Sequence, residues 1–275
     1  MRDRGVSDVI GFVLVFSLIT MTVGAVYATG FSGLEDARDA ERVNNAERAF
    51  DVLAHNVEDS DRGGAPGRST EVKLSDASID FGDRTNVSVT LERDTNDDGT
   101  YDDDRTAYEQ FSPIVYEASG TRIVYENGAV IRDESDGAVM RREPSMAFRE
   151  RGGERSVVLS IVDLNRRGGG QVAGSTTVLV RTRLQSGPGA RTTLLSTPRT
   201  LDDGAGGGTA DRVTLNVTTG PDRAVAWERY VEDSVGWTSD PCSRTDVATG
   251  TAVVCTFETD HLLVRTTHLN ARISS

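Results

Sequence analysis

The segment Asp94–Gly99 carries the residue types and the spacing of an oxygen-ligand metal site. Carboxylate and amide oxygens at alternate positions, followed by a glycine that permits a sharp turn, are typical of a calcium-binding loop. Arg105 occupies the position at which such a loop has its bidentate glutamate, although one of the aspartates just before it could replace that ligand. The segment is therefore either a calcium site or an acidic hairpin loop that binds only water and counterions. The residues of the predicted calcium site are Asp94, Asn96, Asp98 and Asp102.

The chain has two cysteines, Cys242 and Cys255, which are too few for a disulfide-dense scaffold or a four-cysteine zinc site. The alternation of residues around Cys255 indicates a strand. Outside the cell the two thiols would oxidise, so we expect a disulfide between them. The alternative is a pair of independent buried thiols.

Two triplets match the acceptor pattern for N-glycosylation, Asn86-Val-Ser88 and Asn216-Val-Thr218. Both lie in segments in which the asparagine alternates with apolar residues, so we expect the asparagines to face solvent. Such triplets also arise by chance in threonine-rich strands. Glycosylation of Asn86 or Asn216 is therefore one interpretation and coincidence is the other.

Signatures of catalysis are weak throughout the sequence. No Gly-x-Ser-x-Gly motif, zinc-type histidine pair or phosphate-binding loop is present. His261 and His268 are interpreted as surface or packing residues, and Trp227 and Trp237 as core or loop anchors. We therefore expect a protein that is not an enzyme and that binds no cofactor, apart from the calcium option.

The composition is acidic, with a formal net charge of −13, and Lys73 is the single lysine among 30 basic residues. Acidic, lysine-poor surfaces resemble those of proteins from extreme halophiles, in which salt screens the repulsion between carboxylates. Distributed negative charge also repels nucleic-acid phosphates. We expect no nucleic-acid partner, and we give little weight to any acidic cluster taken alone.

From Val9 to Leu34 the sequence contains no charged residue and is mostly apolar. About 20 such residues span the hydrocarbon core of a bilayer as a helix. Arg2 and Arg4 precede this span, so the positive-inside rule predicts a single-pass protein with its C-terminal domain outside the cell. A cleaved secretory signal with a site near Ala28 is the competing interpretation.

The helical pattern continues beyond the apolar span. Charged residues surround one apolar stripe, and the stripe repeats at steps of three and four residues. The stripe consists of Val43, Ala46, Phe50, Leu53 and Val57. We predict one helix from about Val6 to about Asp59, with a membrane or assembly half and an amphipathic half.

The start of this helix resembles a known family. Arg4-Gly5 followed by Val6-Ser7-Asp8-Val9-Ile10-Gly11 is similar to the class III signal peptide of archaeal type IV pilins, especially those of haloarchaea. The resemblance implies cleavage by a prepilin peptidase between Gly5 and Val6, and assembly with other pilin-like subunits. It covers about the first 35 residues. Asp8 departs from it, because those pilins commonly have proline there.

Glycine and proline end the helix within Asp61–Gly67, and strand-like runs bounded by turn residues follow. Asn127-Gly128 is typical of a two-residue hairpin turn. A glycine-rich stretch at Asp202–Thr209 indicates a linker or loop. The predicted strands are 85–91, 122–125, 129–131, 156–162, 176–184, 213–217 and 224–231.

Together these patterns predict an α+β protein in which a long helix precedes an all-β, sandwich-like extracellular domain. The predicted segments are a leader at 1–5, a transmembrane or assembly helix at 6–34, an amphipathic extension at 35–60 and the β domain at 68–275. The expected function is that of a pilin-like structural protein in the cell membrane or in a surface filament. The alternative is a membrane-tethered module that binds a glycan, a small ligand or a protein without forming a filament.

Overall fold

The computed structural model describes residues 4–94, 98, 100, 101, 103–187, 189–197 and 211–275. For residues 4–8 and 32 it describes the backbone alone. The predicted linker at Asp202–Thr209 therefore lies outside the described residues. The chain divides into two compact units, one that ends at Asn44 and one that covers Asn45–Ser275.

Helix α1 runs from Arg4 to Arg62 and so contributes to both units. Its bounds agree with the predicted helix to within a few residues. Gly63 and Gly64 follow directly, and Gly64 adopts a φ of 71°, a conformation that ends a helix readily at glycine. The chain then enters the first strand.

The last turns of α1 are part of the second unit, and their apolar stripe is buried. Phe50 and Leu53 are fully buried, and the Phe50 ring makes an edge contact with Tyr116, with 6.4 Å between the ring centroids. Arg142 pairs with Asp51 and with Glu58 on the flank of the same helix, at 2.6 and 2.8 Å. This part of α1 is therefore an integral part of the β-rich unit, with both apolar and ionic contacts.

The rest of the second unit is built mainly from strands. In chain order the strands of the described residues are β1 Gly67–Lys73, β2 Ala77–Phe81, β3 Thr85–Arg93, β4 Asp103–Phe111, β5 Ile114–Ala118, β6 Thr121–Glu126, β7 Ala129–Glu134, β8 Gly137–Arg142, β9 Met146–Arg151, β10 Glu154–Arg166, β11 Val172–Gly174, β12 Thr177–Leu184, β13 Arg191–Ser196, β14 Asp211–Thr219, β15 Cys242–Val247, β16 Gly250–Thr259 and β17 His261–Ser274.

These strands form three sheets. The first sheet has the order β1-β12-β17-β10-β9, with β13 also paired to β17. The second has the order β11-β2-β5-β6-β7-β8, and the third has the order β15-β16-β14-β3-β4. Neighbouring strands are antiparallel except β10 and β17, which run parallel. The predicted α+β class, a long N-terminal helix followed by a predominantly β unit, is confirmed.

The predicted hairpin is present as β6 and β7. Asn127 and Gly128 have φ angles of 51° and 86°. A two-residue turn of this kind needs positive φ at both central positions, which glycine adopts without strain and asparagine tolerates. The local sequence therefore sets this turn by itself.

The prediction of a strand at 224–231 is wrong, because the chain forms helix α2 there, Pro221–Ser234. The buried side chains of Ala224, Trp227 and Val231 follow a helical spacing. Pro221 stands in the first turn, where its missing N–H removes no helical hydrogen bond. The second unit is consequently not all-β.

One apolar core connects the three sheets with α2. The inward face of β3, β14 and β16 supplies its largest share, opposite β10 and β17 of the first sheet. Members of the core include Val89, Leu215, Leu159, Val264 and Trp227. Alternation along each strand places one set of side chains in this core and the other set outside.

Candidate functional site

The most exposed apolar surface of the described chain lies on α1 between Val9 and Phe31. Its side chains are about half to three-quarters exposed, among them Phe12 at 71% and Met21 at 75%. An 18-residue stretch of α1 has a mean hydropathy of 2.4, and none of that stretch is buried. Because a soluble helix of this composition would bury one face, the segment has the properties of a helix that contacts lipid or other helices. α1 is long and apolar enough to span a membrane.

The three threonine hydroxyl groups of this apolar segment are satisfied within the helix. The hydroxyl groups of Thr20 and Thr29 donate to the carbonyl oxygens four residues earlier, Phe16 and Ala25, at 2.8 and 2.9 Å. Thr22 does the same with Leu18 at 3.0 Å. Such bonds remove the main cost of a hydroxyl group in hydrocarbon, since no water is available there.

Gly5 and Val6, the residues on either side of the predicted cleavage site, lie in the first turn of α1. Their positions agree with the start of a helix, and cleavage between them stays a prediction.

The acidic segment connects β3 and β4, as a hairpin loop would. Asn96 and Asp102 of the predicted calcium site lie outside the described residues. The backbone N–H of Asp98 donates to Asp94 Oδ1 at 3.2 Å, and that of Thr100 donates to Asp98 Oδ1 at 2.8 Å. Calcium binding here stays a prediction, and the described part of the loop shows carboxylates that stabilise a turn.

The two potential glycosylation triplets lie side by side on the outward face of the third sheet. In the register of β3 and β14, Asn86 pairs with Thr218 and Asn216 pairs with Ser88. Asn86 Oδ1 accepts hydrogen bonds from Tyr108 at 3.0 Å and from Gln110 at 2.6 Å. Both asparagines are half-buried. Glycosylation at either site stays a prediction, and the structure gives Asn86 a second role in cross-strand hydrogen bonding.

Cys242 and Cys255 form a disulfide bond. They are directly opposite each other in the β15–β16 pair, and Cys255 is buried in the apolar core. The bond ties the edge strand β15 to its neighbour.

Replacing both cysteines with serine is expected to lower the free energy of unfolding by about 2–3 kcal/mol, because the bond closes a short loop in the unfolded chain. The measurement is denaturant unfolding of the full chain in detergent micelles, followed by tryptophan fluorescence. A thiol reductant should move the parent to the midpoint of the double variant and leave the variant unchanged. If the reduced parent unfolds at its original midpoint, the disulfide does not contribute to stability.

A fully buried carboxylate at the end of β6, in the second sheet, contacts α2. Glu126 forms an ion pair with Arg223 at 2.7 Å and accepts hydrogen bonds from Trp227 Nε1 at 2.9 Å and from the Thr219 hydroxyl at 3.0 Å. The sequence pattern does not reveal this group, because it predicts only a core or loop anchor at Trp227. The described contacts give each oxygen of Glu126 a partner, so the group has the character of a structural network.

A second group of ionisable side chains, which the sequence does not predict as a group, consists of Glu109, Asp163 and His268. His268 is predicted as a surface or packing residue, and in the structure its Nδ1 lies 2.7 Å from Asp163 Oδ2. Burial raises the pKa of Glu109, against the opposing effect of nearby His268. The signal available in the sequence was the placement of each residue in step with the apolar residues of its own strand.

Comparison with curated proteins and with solved structures gives no match. A family model described as "Family of unknown function (DUF7289)" matches residues 4–272, which includes α1 and nearly all of the β-rich unit. The chain therefore belongs to this family of unknown function, DUF7289.

Proposed function

We propose that this protein is a pilin-like surface subunit that is held in the membrane, and assembled with other subunits, through its N-terminal helix. The observation that carries the proposal is the exposed apolar surface of α1 between Val9 and Phe31. Lipid covers such a surface before assembly, and neighbouring helices cover it afterwards. The β-rich unit has its own core, so it needs no contribution from this surface to fold.

Small residues give the apolar helix a face on which a neighbour can approach closely. Ser17, Gly24 and Ala28 fall within about 40° of one another around the helix at 3.6 residues per turn. A Cβ atom added at Gly24 would meet nothing within 4 Å. In lipid, helix association depends on close packing more than on hydrophobicity, so this face is the favoured contact between subunits.

The proposed orientation places the N-terminus in the cytoplasm and the β-rich unit outside. Arg2 and Arg4 precede the apolar segment, which favours a cytoplasmic start. The disulfide between Cys242 and Cys255 supports an oxidising location for the β-rich unit. The proposed partners are the membrane, a prepilin peptidase that cuts between Gly5 and Val6, and other pilin-like subunits. No catalytic role is proposed.

The decisive experiment is mass spectrometry of the N-terminus of the native protein, from separate membrane and sheared-filament fractions. We expect the mature chain to begin at Val6. Replacing Gly5 with leucine should leave the precursor uncut, because the peptidase of such proteins accepts only a small residue before the cleaved bond. Replacing Gly30 with leucine is the matched control, since it adds the same side chain to the same helix in open space and should leave cleavage intact.

A mature protein that still begins at Met1 would contradict processing, and would favour a membrane-tethered binding module that forms no filament. A mature protein that begins just beyond Ala28 would show a secretory signal and no assembly helix. Equal cleavage of the Gly5 and Gly30 variants would also overturn the proposal.

A further inference from the structure

Three strands place an ionisable side chain at a position that faces the protein interior. Glu109 is on β4, Asp163 on β10 and His268 on β17. Asp163 and His268 are direct partners in the parallel pair of β10 and β17. β4 belongs to the third sheet and the other two strands to the first, so the group lies between two sheets.

The alternation of each strand shows that these positions continue the apolar core. Side chains two residues apart point to the same face of a strand. On β4 the neighbours of Glu109 on its own face are Ala107 and Phe111, both in the core. The core residues that precede Asp163 on its face are Val157, Leu159 and Ile161, and those that precede His268 on its face are Leu262 and Val264. Ionisable groups at such positions are costly unless something compensates their charge.

The three side chains converge. Each offers one oxygen or nitrogen atom, and these three atoms all lie within 4.8 Å of one another. His268 Nδ1 is 2.7 Å from Asp163 Oδ2, and Asn165 Nδ2 donates to the same oxygen at 2.7 Å. Asn165 therefore holds the Asp163 carboxylate in place beside the imidazole ring.

The carboxylate of Asp163 is also incompletely satisfied. Its side chain is only 9% exposed, and among the described residues none hydrogen-bonds to its buried Oδ1 atom. A buried acceptor without a partner is unusual, because it has lost water and gained nothing in return. A cation within the cluster would supply the missing interaction.

We propose that Glu109, Asp163 and His268 bind a divalent first-row transition metal ion of the zinc class. Two carboxylate oxygens and one imidazole nitrogen are ligands that suit such an ion. Calcium prefers six to eight oxygen ligands, which this group does not provide. Glu109 and His268 are partly exposed, so a water molecule can complete a four-coordinate site. The ion would link the first sheet to the third, beyond the covalent link that Cys242 and Cys255 make within the third sheet.

The test is a titration of the full chain with Zn²⁺, in detergent micelles after removal of metal with EDTA, followed by isothermal calorimetry. We expect one equivalent to bind with micromolar or tighter affinity, and we expect the variant His268→Gln to bind at least tenfold more weakly. His261→Gln is the matched control, because His261 is on the same strand but pairs with Glu154 at the surface. It should bind like the parent. The chain has 3 histidines and no free cysteine, so no thiol can serve as a ligand. His55→Gln is the control for the remaining histidine, and this variant should also bind like the parent.

A second measurement separates loss of the ligand from loss of the fold. Co²⁺ bound to the parent should give the strong visible absorption of a four-coordinate ion, and Zn²⁺ should displace it. Glu109→Gln and Asp163→Asn should each lower the affinity at least tenfold while the circular dichroism of the metal-free chain is retained. The proposal is overturned if the parent binds less than one equivalent of Zn²⁺ at millimolar concentration, if its Co²⁺ complex has only the weak spectrum of a hydrated surface ion, or if His261→Gln weakens binding as much as His268→Gln.

Discussion

Replacing Phe50 with aspartate is expected to destabilise the β-rich unit by at least about 4 kcal/mol. The Phe50 side chain is fully buried and its ring contacts Tyr116. Truncation of a buried phenylalanine alone costs about 3–5 kcal/mol, and a carboxylate in the same place loses its hydration as well. A loss of this size is a large fraction of the stability of a typical domain, so the variant should unfold at a much lower temperature and denaturant concentration than the parent.

Val52 supplies the matched control for this prediction. It lies two residues further along the same helix and is 52% exposed, so Val52→Asp adds the same charge to the opposite side. We expect a change of no more than about 0.5 kcal/mol for this variant. The measurement is thermal and denaturant unfolding of the full chain in detergent, with the loss of β-sheet circular dichroism as the signal. If Phe50→Asp unfolds at the midpoint of Val52→Asp, the end of α1 does not pack on the sheets, and a free stalk is the better description.

The features that the sequence predicts well are those that depend on neighbours in the chain. The uncharged run from Val9 to Leu34 and the stripe through Phe50 define a helix by period and length alone. The turn at Asn127-Gly128 follows from the φ angles that these two residues tolerate. Each of these features can be derived from one continuous stretch of the chain, without knowledge of the rest of the fold.

Helix α2 shows how a short window misleads. Between Ala224 and Val231 apolar residues recur at two, three and four residues, so the stretch fits a half-buried strand and an amphipathic helix alike. Pro221 just before the stretch was the stronger signal, because proline is favoured in the first turn of a helix. The burial of Trp227 against the sheets then selects the helix.

The proposed metal site could not be predicted from the sequence, because strand pairing alone brings its members together. Asp163 and His268 are 105 residues apart in the chain and become partners only through the parallel pairing of β10 and β17. Glu109 is on β4, which belongs to the third sheet and not to the first. The alternation within each strand indicates that each residue faces inward, but only the pairing of the strands shows that the three meet.

The ion pair of Glu126 and Arg223 leads to the second large effect. Replacing Arg223 with methionine is expected to cost about 3–5 kcal/mol, because it leaves the fully buried Glu126 carboxylate without its cation. Trp227 and Thr219 would still donate to that carboxylate, but two neutral donors do not replace a cation 2.7 Å away. The control is Arg68→Met, which breaks an exposed pair with Asp59 and should cost no more than about 1 kcal/mol.

A double-mutant cycle distinguishes this electrostatic cause from a simple loss of packing. Glu126→Gln keeps an oxygen that can accept from Trp227 Nε1 and removes the buried charge. If the unpaired carboxylate is what destabilises Arg223→Met, adding Glu126→Gln should restore at least about half of the lost stability, and the two effects should be strongly non-additive. Additive losses in denaturant unfolding would contradict this, since they would mean that Arg223 stabilises the fold through the packing of its aliphatic stem and not through the charge of Glu126.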